Sequence, residues 1–246
     1  MQTKKLPEVP EPKTLLTANT VTTGQFIPPI NQVKCMSSEE WENFILEWAH
    51  SLKVDYIDVE KSAGAGDMGR DIIAYVSKSP EVWDNYQCKH YRNKLSPKDI
   101  WLELGKLCYY TFKKEYTPPR RYFFVSPEGP TNELSKLLRG PDKIRKGLMA
   151  NWDTNCRRKI TAKLEVKLED GLLAHVKSFD FSNISNASML TIIEQHARTR
   201  WHAARFGGGL KPRPKPPAPP ATITDEEASY IRALLDAYED RLSTKL

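Results

Sequence analysis

The chain has 246 residues, with 37 Lys and Arg against 31 Asp and Glu, for a net charge of +6. That length holds one large domain, or a domain plus a small appendage, and 39% hydrophobic with 28% charged residues excludes a wholly disordered chain. No apolar run approaches the ~20 residues of a membrane span, no apolar leader opens the chain, and the four cysteines (Cys35, Cys88, Cys108, Cys156) form no CxxC pair, which argues against zinc or a disulfide scaffold and fits a reducing cytosol.

Residues 1–35 are Pro-rich and polar without a clear period, and are expected to be a flexible or surface-lying arm. The body is expected over 36–206. Ser37 with Glu40 spells a capping box, and Trp41, Phe44, Ile45, Trp48 and Leu52 follow at helical spacing. Strands are expected at 53–60, 71–77 and 85–91, with a glycine-rich turn, 62–70, between the first two. From Ser96-Pro97 a long helix runs through Ile100, Leu104, Leu107 and Tyr110. An apolar fourth strand follows at 121–126, of the kind covered on both faces. Helices are expected near 131–139 and 142–152, and a basic one near 188–205. The order α-β-β-β-α-β predicts an α/β sandwich.

Residues 207–223 carry six prolines between Pro212 and Pro220 and read as a semi-rigid linker. Beyond it, 224–246 holds six acids and three bases, so the tail is −3 and the 34 bases and 25 acids before it make +9. In the tail Ile231, Leu234, Leu235, Tyr238 and Leu242 recur at helical spacing. An amphipathic helix of that length is marginal alone and is expected to dock or self-associate.

The chemistry gathers on the second and third strands. Asp71 opens a strand after the glycine turn, and Gln87 and Lys89 lie two apart on the next, so their side chains share one face. If these strands are hairpin neighbours, the three converge at one end of a sheet. A carboxylate and an amide oxygen are hard ligands suited to Mg²⁺, which is usually held by few protein groups plus water and phosphate. A lysine beside it can orient or deprotonate a water and offset phosphate charge. The lesser alternatives are an Asp71 that only ties down its turn and a Gln87 and Lys89 that are solvated edge residues. Asp67, between glycines, is expected as an Asx-type turn residue. Glu42 and Glu47 occupy opposite flanks of the first helix's apolar face. His90 is expected to pack, and Arg70 to meet either a phosphate or a surface acid.

These residues carry a resemblance. Gly64-Ala-Gly-Asp-Met-Gly-Arg-Asp-Ile72 followed by Gln87-Cys-Lys-His-Tyr91 resembles the Mrr-type branch of the PD-(D/E)XK restriction-endonuclease superfamily, where Q-x-K replaces the commoner E-x-K. Trp41-Glu-Asn-Phe-Ile45 is similar to the helical segment of that branch. The resemblance covers roughly 37–126 and implies a restriction-endonuclease-like α/β/α sandwich with a central mixed sheet. It also implies Mg²⁺ or Mn²⁺ at Asp71, Gln87 and the Cys88 carbonyl, with Lys89 as the working lysine and Glu42 as the helix acid. The C-terminal half, with Phe179-Asp-Phe-Ser182 and Gln195-His-Ala-Arg-Thr-Arg-Trp201, looks like the double-stranded DNA endonuclease domain of bacterial antiphage effectors. Such domains occur beside a SAVED nucleotide sensor in CBASS and as the nuclease of Lamassu-type (ABC-three-component) defence. With 23 residues after 223, no sensor domain is expected in this chain, which favours the Lamassu setting. That setting implies a cytoplasmic nuclease cutting double-stranded DNA, held in check by an SMC-like ATPase and accessory subunits, and oligomeric when active. The alternatives are a non-catalytic DNA-binding or scaffold subunit, and a CBASS-type nuclease cut from its sensor.

Overall fold

The computed structural model describes residues 27–62, 67–79, 81–207 and 225–242, in two units, 1–208 and 209–246. In the larger unit the sheet has five strands in the order β1-β2-β3-β4-β5: β1 (Asp58–Lys61), β2 (Ile72–Lys78), β3 (Glu81–Cys88), β4 (Arg121–Val125) and β5 (Ile184–Asn186). The first three pair antiparallel, and β3–β4 and β4–β5 pair parallel, so β3 is the seam of a mixed sheet. The protein is thus α/β, with a five-stranded mixed sheet packed against helices.

Strand alternation divides the sheet's side chains between two cores. Ile73, Trp83, Tyr122 and Phe124 join one cluster. Ile72, Ala74, Tyr86, Cys88 and Val125 join the other. The second is filled from α1 (Pro29–Lys34), α2 (Ser38–Ser51), α7 (Met189–His196) and α8 (Trp201–Phe206), through Val33, Trp41, Phe44, Ile192 and Phe206. The first is filled from α3 (Trp101–Phe112), α4 (Asn132–Leu138), α5 (Pro141–Asn155) and α6 (Asp170–Ser178), through Leu104, Leu134, Trp152 and Val176.

The capping box is formed: Glu40 N–H donates to Ser37 Oγ at 3.2 Å, and Ser37 N–H donates to Glu40 Oε2 at 2.7 Å. A carboxylate also lies within the sheet. Asp84 has no exposed surface, and Arg120, Arg121 and Tyr56 all donate to it. Two guanidinium groups and a hydroxyl replace the water that it loses.

The expected elements shift in places. Residues 29–34, expected within an arm, form α1 and bury Val33. The first strand begins at Asp58, because 53–55 is a turn in which Val54 is fully exposed. The third strand lies at 81–88, four residues earlier at its start than expected. The single basic helix of 188–205 is two helices, broken at 197–200. Helix α6 and strand β5 were not expected. Most of the arm and nearly all of the Pro-rich linker lie outside the described residues.

The second unit contributes α9 (Asp225–Leu242). Along it Tyr230, Leu234, Leu235 and Tyr238 are exposed.

Candidate active site

Asp71 directly precedes β2, and continuing the β2–β3 register sets it opposite Gln87. Its Oδ2 accepts two hydrogen bonds of 2.7 Å, from the Gln87 amide Nε2 and from the Cys88 main-chain N–H. Burial pushes the Asp71 carboxyl up to about 6, against the opposing pull of the Lys89 ammonium and the Cys88 N–H, while the charges of Glu103 and Asp67 push it further up. The site therefore holds a carboxylate whose negative charge is under-compensated.

Gln87 is almost fully buried, and its Oε1 accepts from the hydroxyl of Tyr122 at 3.0 Å. Tyr122 sits opposite Asn85 on β4, with no exposed surface. Lys89 follows β3, its N–H still donating to Val125 O at 2.8 Å, which keeps the chain in line with the sheet. Its Nζ donates to Glu103 Oε1 at 2.7 Å. Burial alone would depress that ammonium, but Glu103 outweighs it and the Lys89 pKa is raised. Lys89 is therefore a held cation at neutral pH and a poor proton acceptor.

Glu103, on α3, was not anticipated. It is 5% exposed and lies between Lys89 and Lys106, whose Nζ is 3.3 Å from Oε2. Burial raises its pKa, but the two lysines overcome that and leave it lowered. One signal was available in the sequence. Glu103 precedes Leu104 and stands four residues before Leu107, so a charge lies in the apolar stripe of the helix. Its partner just beyond β3 cannot be read from that spacing.

Residues 67–70, the described end of the expected glycine turn, close the site against α3, and 63–66 lie outside the described residues. Asp67 Oδ1 accepts from Gly69 N–H at 2.9 Å, the Asx-type role expected of it. Gly69 has φ +81°, and a Cβ there would lie 3.0 Å from Lys106 Cβ and 3.4 Å from Glu103 Oε2. Glycine is needed both for that backbone and for that approach. Tyr116 donates from its hydroxyl to Met68 O at 3.1 Å, and the Arg70 guanidinium lies 4.3 Å from the Tyr116 ring centroid. Arg70 thus braces the turn through an aromatic face.

The remaining expected residues stand apart. Glu42 pairs with Lys61 of β1 at 3.0 Å and makes no hydrogen bond or ion pair with Asp71, Gln87 or Lys89 among the described residues. Its charge is nevertheless among those that reach the Cys88 thiol on the opposite face of the sheet. Glu47, the other flank, binds Arg205 and His196. His90 packs, its Nε2 3.0 Å from Val33 O and its ring 5.8 Å from that of Trp41.

Among the described residues no three His, Cys, Asp or Glu side chains gather as a metal cluster. A divalent cation here would rest on one carboxylate, an amide oxygen and the Cys88 carbonyl, with water and phosphate completing its shell, a donor set that Mg²⁺ accepts. The raised Asp71 carboxyl fits that role. Gln87 fits it with its amide reversed, since the Tyr122 hydroxyl both donates and accepts and can serve either end.

Compared with protein-family models, with curated proteins and with solved structures, the chain matches none. No helix among the described residues is long and apolar enough to cross a membrane.

Proposed function

We propose that this protein is a metal-dependent double-stranded DNA endonuclease of the restriction-endonuclease-like kind, the nuclease of a Lamassu-type antiphage system. The observation that carries the reading is the meeting of Asp71 and Gln87 across the β2–β3 pair, with Lys89 one residue beyond β3. In this reading Asp71, Gln87 and the Cys88 carbonyl hold Mg²⁺ or Mn²⁺. The ion, when bound, lowers the pKa of a water and screens the attacked phosphate. Lys89, kept charged by Glu103, offsets the negative charge that grows on the phosphate and orients the water. It does so as a cation and not as a base, because its pKa is raised. Tyr122 fixes the Gln87 amide, and Glu103 fixes Lys89. Glu42 enters only as a charge behind the sheet.

One observation favours a non-catalytic DNA-binding or scaffold subunit. Each of the three side chains has an internal partner: Asp71 with Gln87, and Lys89 with Glu103. A plasmid assay with Mg²⁺ separates the two readings, run with the protein alone and with its SMC-like ATPase and accessory subunits. Nicked and linear DNA from the wild type, lost by at least 100-fold in Lys89→Ala with DNA binding retained, is the expected result. Undiminished cleavage by that variant refutes the site. Light scattering during turnover tests the expected oligomer, because a double-strand cut needs two sites or one used twice.

A further inference from the structure

A second site lies at the far end of α2. His50, in the last turn of that helix, and Lys53 just beyond it face the 197–200 turn between α7 and α8 across a cavity of about 540 Å³. That volume is within the range of small-molecule pockets. None of Asp71, Gln87, Lys89 and Glu103 lines it. The cavity is therefore separate from the Asp71 site.

Its lining is one-sided in charge. Lys53, Arg198 and Arg200 contribute three cations, no lining residue is acidic, and none of the three has a carboxylate partner among the described residues. The Arg200 guanidinium lies 4.7 Å from the ring centroid of Trp201, and His50 meets the same indole edge-on at 5.8 Å. This places a cation–aromatic pair on the wall, the kind of surface on which a planar base stacks.

Gln195 and Thr199 add polar groups to the wall. Trp48 Nε1, which can only donate, gives its hydrogen to Gln195 Oε1 at 2.7 Å. That fixes the Gln195 amide, whose side chain lines this cavity and a neighbouring one. Thr199 is also on the wall, its Oγ1 enclosed beneath the surface without a hydrogen-bond partner. The wall is preformed. Glu47 on α2 binds Arg205 of α8 at 2.8 Å and His196 of α7 at 3.2 Å, and His196 meets His202 at 3.2 Å across the turn. Both flanking helices are thereby tied to α2.

Three cations, one fixed amide and a cation–aromatic pair in a concave pocket match a phosphate joined to a flat ring. From these features we infer that the cavity binds a nucleoside phosphate, with Lys53 and Arg198 on the phosphate and the Arg200–Trp201 pair under the base. Two sources share that chemistry: a free nucleotide, and the 5′-phosphorylated end of a strand. The inference stands independently of the nuclease reading.

The test is isothermal titration of the full chain, without added metal, with 5′-AMP, 5′-GMP, 5′-CMP and 5′-UMP. A single-stranded dodecamer with a 5′-phosphate, its unphosphorylated twin and inorganic phosphate complete the set. Lys53→Ala/Arg198→Ala changes two exposed side chains and leaves the fold intact, checked by circular dichroism; Trp201→Ala reads the ring separately. Saturable binding of a mononucleotide, weakened at least tenfold in both variants, establishes the site with a free nucleotide as its source. Binding of the dodecamer that requires its 5′-phosphate and falls likewise establishes a strand end. Absence of binding by every probe, full affinity in either variant, or inorganic phosphate binding as tightly as the nucleotides overturns the inference.

Discussion

Replacing Glu103 by Gln tests the assembly of the candidate active site at the residue that does most to keep Lys89 charged. The Lys89–Glu103 contact is 2.7 Å, with side chains 13% and 7% exposed. At an effective dielectric of ~20 such a pair is worth about 6 kcal/mol before desolvation. Taking both ions from water returns roughly half of that, so about 3 kcal/mol of stability is lost when Glu103→Gln leaves Lys89 buried without its counter-charge. The signs fix the pH window. The lowered Glu103 pKa gives stability that is full above about pH 4.5 and disappears as pH falls through the folded value. The raised Lys89 pKa gives stability that is full below its ordinary value of 10.5 and disappears only in strong alkali. The loss is therefore read cleanly at pH 7. Urea unfolding of wild type, Lys89→Met, Glu103→Gln and the double variant gives the coupling by a double-mutant cycle, expected at about 2–3 kcal/mol. A coupling under about 0.5 kcal/mol refutes the pairing. Cleavage by Glu103→Gln should acquire a new alkaline limb, because Lys89 without its carboxylate loses its proton at lower pH.

The Asp71 carboxyl, raised to about 6, makes the metal-free protein less stable as pH climbs from about 4 to 6. Asp71→Asn should stabilise that form at pH 7.5 by about 2–3 kcal/mol in urea titrations while abolishing cleavage. For the same reason Mg²⁺ or Mn²⁺ should raise the wild-type melting temperature more at pH 7.5 than at pH 5.5, and should raise that of Asp71→Asn at neither; equal shifts at both pH values count against Asp71 as a ligand. Tyr122→Phe removes the donor to Gln87 Oε1 and should cost about 1–2 kcal/mol in chemical denaturation, with a fall in cleavage rate at unchanged DNA affinity. Gly69→Ala forces a side chain into positive φ against Lys106, and should destabilise by about 1–3 kcal/mol in thermal melts; a neutral effect contradicts the close approach of turn and helix.

What could be read in the sequence was what is local. The Ser37–Glu40 box and the 3.6 period of Trp41, Phe44, Ile45 and Trp48 define α2 because cap and stripe both lie within one turn or two. Gln87 and Lys89 share a face because strand alternation is a local rule, and Asp71 meets Gln87 because only two residues separate β2 from β3. The start of β3 was misplaced because residues 81–84 are strand only by pairing with β2 and β4. Three-residue β5 has no period of its own, and exists by parallel pairing with β4 across a long connection. Glu103 was missed because its partner lies on another element, 14 residues away. The basic 188–205 stretch has the composition of one helix. The contacts of His196 with His202 and Glu47 go with two.

The seam at β3 has a consequence for the order in which the molecule assembles. Its antiparallel side closes after two residues, whereas its parallel side waits for the 32 residues that carry α3 across to β4. Hairpins form in microseconds, while pairings across long connections come later because the loop entropy is met first. Asp71 and Gln87 are thus brought opposite one another early, in a hairpin without its lysine's counter-charge. Lys89 acquires Glu103 only when α3 docks, so the site is completed by the slower half of the sheet. Amides of β4 and β5 should accordingly gain protection after those of β2 in pulse-labelled hydrogen exchange.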